Sequence, residues 1–198
     1  VSGSGFRHHG YDGVSGAGFR HHGGDGVSGV ELRASARVLL IDPAGRVLLY
    51  RGLLLQVENP PYAWFTPGGG VDPGESARQA AARELREELG HAVTPEALGP
   101  VVATSEGGWS LGGRRFRSHD SYFMLRVSGL VVDTSGMDEE ERAATDRFRW
   151  WTADELAGPL DEPVVPADLG ALVARLVAGD VPVTPVVLPW HLLHDRDA

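Results

Sequence analysis

Glu84, Glu87 and Glu88 crowd one short run, Arg83-Glu84-Leu85-Arg86-Glu87-Glu88-Leu89, and are the residues whose spacing could do chemistry. At about 100° per residue of helix, their carboxylates fall within a sector of roughly 100° that borders Leu85 rather than opposing it. Glu84 and Glu88 are like charges one turn apart, an arrangement that is mildly unfavourable without a cation between them. A hard divalent ion would supply that charge, since magnesium takes a few carboxylates and completes its octahedron with water. Taken alone the run has a plainer reading, because glutamate and arginine are good helix formers and charge runs usually mark a solvated face.

The residues ahead of the run decide between the two readings. Gly68, Gly69 and Gly70 give a backbone that can bend sharply and approach a ligand. Five residues separate Gly69 from Glu75, and seven more separate Glu75 from Arg83. Ser76 and Gln79 have capping-box spacing, Ala77, Ala81, Leu85 and Leu89 recur every fourth residue, and Gly90 follows. A helix from Ser76 to Leu89 is therefore predicted, with the acids at the edge of its buried stripe.

From Gly69 to Gly90 this pattern resembles the box of the Nudix hydrolase family, departing from it at His91, where the family prefers an apolar residue that Val93 would replace. The resemblance implies an α/β fold, an α/β/α sandwich with a mixed β-sheet flanked by helices. It implies that Glu84, Glu87 and Glu88 bind Mg2+ or Mn2+, with the Gly68 carbonyl a candidate extra ligand. Arg83 would pair with Glu75 and fix the Gly69 turn against the helix. Glu84 would be a ligand, an orienting group or the general base. A further acid from outside the box is open among Glu106, Asp120, Glu141 and Asp146. The implied reaction is attack of water on phosphorus, cleaving a diphosphate bond in a small nucleotide-like substrate. A module of the same family that senses nucleotide without hydrolysing it is the alternative, although such modules usually lose box acids and this box is intact. An isomerase of this fold would need a catalytic cysteine, and the chain has none.

Several elements must position these groups. Ala36 to Asp42 and Arg46 to Gly52 read as a hairpin across a Pro/Gly turn. A short strand over AWF precedes the glycines, strands are expected near 101–105, 115–127 and 147–152, and a closing helix over 168–178 has Asp168 as its N-cap. Residues 1–26 are two copies of a thirteen-residue Gly/His repeat and read as a disordered leader. The Nudix-like domain is expected over residues 27–180, followed by a proline-rich arm over 181–198.

The chain has 198 residues, no cysteine and a net charge of −9. Disulfides and thiolate chemistry are excluded. Nothing draws the whole molecule to nucleic acid or a membrane, and a cytoplasmic enzyme is expected, with a homodimer suggested by family habit. An anionic substrate must then be held locally. Arg51, Trp64, Trp109, Arg115 and Arg117 are the candidate contacts, the arginines for phosphate and the indoles for a base; a solvated hairpin is the plainer reading of Arg114, Arg115 and Arg117. Signatures that would name a substrate are missing: Gly107 stands where ADP-ribose enzymes tend to carry proline.

Overall fold

The computed structural model describes residues 30–54, 61–111 and 114–190. The repeat at residues 1–26 and the Gly112-Gly113 turn lie outside the described residues.

The predicted hairpin forms as β1 (Val30–Ile41) and β2 (Val47–Leu53), but its strands stay paired only at Ile41 and Val47. Each strand has two hydrogen-bonding edges, and other partners take them. The glycine strand β4 (Gly68–Gly70) claims β1 at Ser35, Ala36 and Arg37, and β3 (Tyr62–Phe65) claims β2 from Tyr50 to Leu53. On its other edge β1 runs parallel to β6 (Arg114–Arg126) from Val30↔Arg115 to Ile41↔Arg126, while β2 pairs with β7 (Thr145–Trp151). A hairpin expected from its turn is thus a joint between two half-sheets that part away from it. With β5 (Val101–Leu111), β8 (Val164–Val165) and β9 (Val186–Leu188), the described residues form one mixed sheet in the order β8-β3-β2-β1-β6-β5-β9.

Both faces of this sheet are covered. Ala36, Val38 and Leu40 of β1 meet Leu48, Phe123 and the Ala81, Leu85 and Leu89 stripe of α1 (Ala77–Leu89). Leu39 and Ile41 point the other way and pack with Leu49, Tyr122, Trp151 and the Leu172 and Leu176 stripe of α4 (Leu169–Val177). Period two along a strand and about 3.6 along a helix make this an α/β/α sandwich. Deleting the fully buried Leu85 side chain would cost about 2–5 kcal/mol.

Three features depart from the sequence reading. Asp168 begins α4, yet it sits at φ 61° and its side chain makes no capping hydrogen bond. Two short helices, α2 (Glu139–Ala144) and α3 (Ala153–Ala157), escaped a search for apolar periodicity because they span under two turns. Each is announced by a capping box, Asp138 with Glu141 and Thr152 with Glu155. Finally, part of the expected C-terminal arm joins the sheet: β9 lies parallel to β5, Leu188 is buried in the core and Trp190 packs against Gly107.

Candidate active site

The site is assembled around α1. Its first turn is closed by the reciprocal box, with Gln79 N–H donating to Ser76 Oγ and Ser76 N–H to Gln79 Oε1. Its last turn ends at Gly90 (φ 65°), where Gly90 N–H donates to Arg86 O and His91 N–H to Leu85 O. That left-handed cap satisfies the final carbonyls and turns the chain away. Val93 then packs into the cluster beneath α1, which explains how a polar residue is accommodated at His91.

Arg83 ties the helix to the glycine turn. Its Nε and Nη2 reach the two carboxylate oxygens of Glu75 at 3.1 Å, and Nη2 also donates to Gly70 O at 2.8 Å. Its Nη1 spans Glu84 (2.8 Å) and Glu87 (3.1 Å). Burial would raise the Glu75 carboxyl, but Arg83 and the Asp72 amide hold it below the usual carboxylate range. The other side of the turn is held by Glu88, whose Oε2 accepts from Gly68 N–H at 2.8 Å. Gly69 is favoured as glycine for a different reason: a Cβ there would stand 2.5 Å from Glu84 Oε1 and displace that carboxylate.

Glu84 and Glu88 are each only 4 % exposed, whereas Glu87 is half-buried. Burial pushes the Glu88 carboxyl up to about 8, the neighbouring Glu84 charge adds to this, and Gly68 N–H and Arg37 oppose it. Glu84 is raised for the same first reason, against the pull of Arg83 and Arg37. Glu141, from α2, raises both. It is brought there by the loop before α2, where Asp133 N–H donates to Leu89 O and Gly136 lies so close to Glu87 that a Cβ would be 2.7 Å from its carbonyl oxygen. Among the described residues no three acids converge on a ready metal cage, since Arg83 holds Glu84 and Glu87 while the glycine turn holds Glu88. The donor set is nevertheless hard, anionic and under mutual repulsion. Those properties suit a divalent ion.

Arg37 went unnoticed in the sequence. It is a charged residue within the apolar run Ala36 to Ile41, and that interruption is the signal that could have found it. Its Nη1 donates to Gly68 O, so in this structure the carbonyl expected to ligate a metal is occupied by a guanidinium. Burial opposes its charge, yet Tyr50, Asp120, Tyr122 and Glu88 around it hold it firmly protonated.

The remaining candidates scatter. Asp120 is buried with Ser105, Tyr122 and Arg37 on the floor between the half-sheets, and burial raises its pKa. Asp146 is bound to Arg51 at 2.7 Å and lies 3.7 Å from Arg147. Arg51 is itself committed to Glu162 and Asp146 and lies 3.7 Å over the Tyr62 ring, so it is not a spare phosphate ligand. Trp64 is core: it meets Trp151 edge-on at 4.9 Å, and together they form the floor of a cleft of about 490 Å³ also lined by Arg147, Arg149 and Glu162. Glu106, Trp109, Arg115 and Arg117 sit together on the outer half of β5 and β6, where Glu106 pairs with Arg117 (2.8 Å) and His119 (2.9 Å). No described helix is long and apolar enough to cross a membrane.

Comparison with known proteins places this geometry. Residues 31–172 match the NUDIX domain. The RNA pyrophosphohydrolase of Caulobacter vibrioides (strain NA1000 / CB15N) is 31% identical over 169 residues, covering 76% of this chain and 91% of that protein. The RNA pyrophosphohydrolase of Roseobacter denitrificans (strain ATCC 33942 / OCh 114) is 32% identical over 158 residues, covering 74% and 90%. Among solved structures, the MutT protein from Methanosarcina mazei Go1 shares the fold with a TM-score of 0.51 at 18% identity, over 77% of this chain and 98% of that one. A domain match over most of the chain, centred on a glycine turn locked to an acidic helix, shows that the chain belongs to the Nudix family of hydrolases, which cleave pyrophosphate bonds.

Proposed function

We propose that this Nudix hydrolase cleaves the diphosphate linkage of a nucleotide-like substrate with Mg2+ or Mn2+ held by Glu84, Glu87 and Glu88, and that Glu141 is the acid contributed from outside the box. The observation that carries the reading is the burial of Glu84 and Glu88 side by side, with both carboxyls raised and Glu141 adding a third negative charge. Ionised carboxylates in such a place are costly unless a cation joins them. When bound, the ion would polarise a phosphoryl oxygen and lower the pKa of the attacking water.

The chain's own groups do the positioning. Arg83 and Glu75 clamp the glycine turn, and Gly68 N–H orients Glu88. The proton of the attacking water goes to Glu84 or Glu141, since Glu88 is fixed by Gly68 N–H and Glu87 is paired with Arg83 and Arg86. Arg37 would release the Gly68 carbonyl if that oxygen ligates the ion, and its guanidinium would then be free to meet a phosphate. A panel of nucleoside diphosphate derivatives, dinucleoside polyphosphates and 5′-triphosphorylated RNA, incubated with each metal and read by released phosphate, tests the reading. The RNA belongs in the panel because of the relatives' names. Turnover of one class with a divalent ion, and none in chelator, is expected; no turnover of any would leave a nucleotide-sensing module.

A further inference from the structure

A recess lies between the half-sheets beside the glycine turn. Leu54, Phe65 and Val165 form its apolar wall, and Arg37, Asp120 and Tyr122 its polar one. All of these but Arg37 are buried. An apolar wall facing a few convergent polar groups is the usual make-up of a small-molecule site. Arg37 joins the recess to the catalytic turn, because the guanidinium that lines it also donates to Gly68 O.

The recess is closed by Trp190, which follows β9 in the C-terminal arm. Leu188 anchors that arm in the core and stands opposite Ser105 of β5; two residues further along the same course, Trp190 meets Gly107. There the approach decides the residue type. A Cβ on Gly107 would stand 2.2 Å from Trp190 Cγ and 2.4 Å from Cδ1 and Cδ2. A glycine inside a strand often marks such a close approach. With the indole seated, the recess keeps about 20 Å³, enough for a single water.

Indole and purine are fused bicyclic rings of nearly the same outline, so the arm fills this recess with a group of a nucleobase's shape. We propose that Trp190 is a specificity-determining residue: it occupies the place of a base beside Arg37 and Asp120, leaves a nucleotide-like substrate to be held by its phosphate chain, and so makes the site nearly indifferent to the base. The proposal rests on the reading of the Gly68 turn and α1 as the phosphate site, and it deepens that reading by naming what decides the choice of base. The competing role is a cover that only shields Arg37 and Asp120 from water. Removing such a cover would lower stability and leave selectivity unchanged.

The test uses the full chain as parent, Trp190→Ala, Trp190→Phe and Gly107→Ala, each checked by thermal melt. Calorimetric binding of α,β-methylene ADP and α,β-methylene CDP with Mg2+ stands apart from catalysis, because their diphosphate linkage cannot be hydrolysed. The parent should bind the two within about threefold, and Trp190→Ala, which opens a recess of purine outline lined by Phe65, should favour the adenine compound by at least about tenfold. Free indole should compete for the opened recess and return the ratio toward the parent's. Trp190→Phe keeps a flat ring in place and should move the ratio less than the alanine variant does. Gly107→Ala crowds the indole out from the other side and should move it in the same direction. A folded Trp190→Ala with the parent's ratio, or a parent that already favours the adenine compound by about tenfold, overturns the proposal. Should Trp190→Ala fail to fold, an unchanged ratio in Gly107→Ala overturns it equally. If none of the four proteins binds either compound, the reading of the turn as a phosphate site falls with it. A shifted binding ratio without hydrolysis of any substrate would sustain the role of Trp190 and sink the hydrolase reading instead.

Discussion

Replacing Glu88 by glutamine isolates the repulsion among the buried acids of α1. Glutamine keeps an oxygen to accept from Gly68 N–H, whose present bond is 2.8 Å, and it keeps the helix propensity while removing the charge. The folded carboxyl titrates near 8, against about 4.5 for an ordinary glutamate. Between those values the folded state binds more protons than the unfolded one, so stability falls as pH rises through the window and the deficit is complete above it. At about 1.36 kcal/mol per pH unit the ceiling is on the order of 5 kcal/mol. A chain of this size gains roughly 2–4 °C in Tm per kcal/mol. Glu88→Gln should therefore melt at least about 5 °C above the parent at pH 8.5 in chelator, a gap that closes as pH falls toward 4.5. Added Mg2+ should raise the parent's Tm and leave the variant's nearly unchanged. Circular dichroism melts from pH 4.5 to 9 read all of this. A variant that melts at or below the parent at pH 8.5, or a gap equally wide at pH 5, would refute the reasoning.

Other expectations follow from single contacts. Gly69→Ala puts a methyl 2.5 Å from Glu84 Oε1, so the carboxylate must move; kcat should fall about 10²-fold while the melt changes by only a few degrees. Arg83→Met removes the partner of Glu75, Glu84 and Glu87 together and should cost about 2–4 kcal/mol in urea unfolding at pH 7. Glu141→Gln should lower kcat about 10²-fold with the fold intact, whereas Asp146→Asn, whose partners are Arg51 and Arg147, should stay within about threefold. Equal effects from these two in steady-state assays would remove Glu141 from the site.

The helix was legible because its signals are local. Ser76, Gln79 and Gly90 are read within two turns of what they cap, and the contacts of Arg83 with Glu75 span only eight residues. The parting of β1 and β2 was not legible: it depends on which strands compete for an edge, and the winner, β6, begins more than eighty residues after β1 starts. Trp64 and Arg51 illustrate a second limit. An indole or a guanidinium on a strand serves core packing or ligand contact with the same residue type, and only the fold reveals that Trp151 and Glu162 had claimed them. Arg37 and β9 lay at the third limit, where a single charge in an apolar run and three residues in a proline-rich tail give too little periodicity to read.

The central claim is that the acids of α1 hold the ion that makes this chain a hydrolase, and kcat of Glu88→Gln against the parent tests it most directly. An ion's contribution of several kcal/mol to stabilising transition-state charge, at about 1.36 kcal/mol per factor of ten, predicts a loss of roughly 10³-fold or more with Mg2+ on the best substrate of the panel. Turnover within about tenfold of the parent, by a variant whose melt shows it folded, would contradict the account.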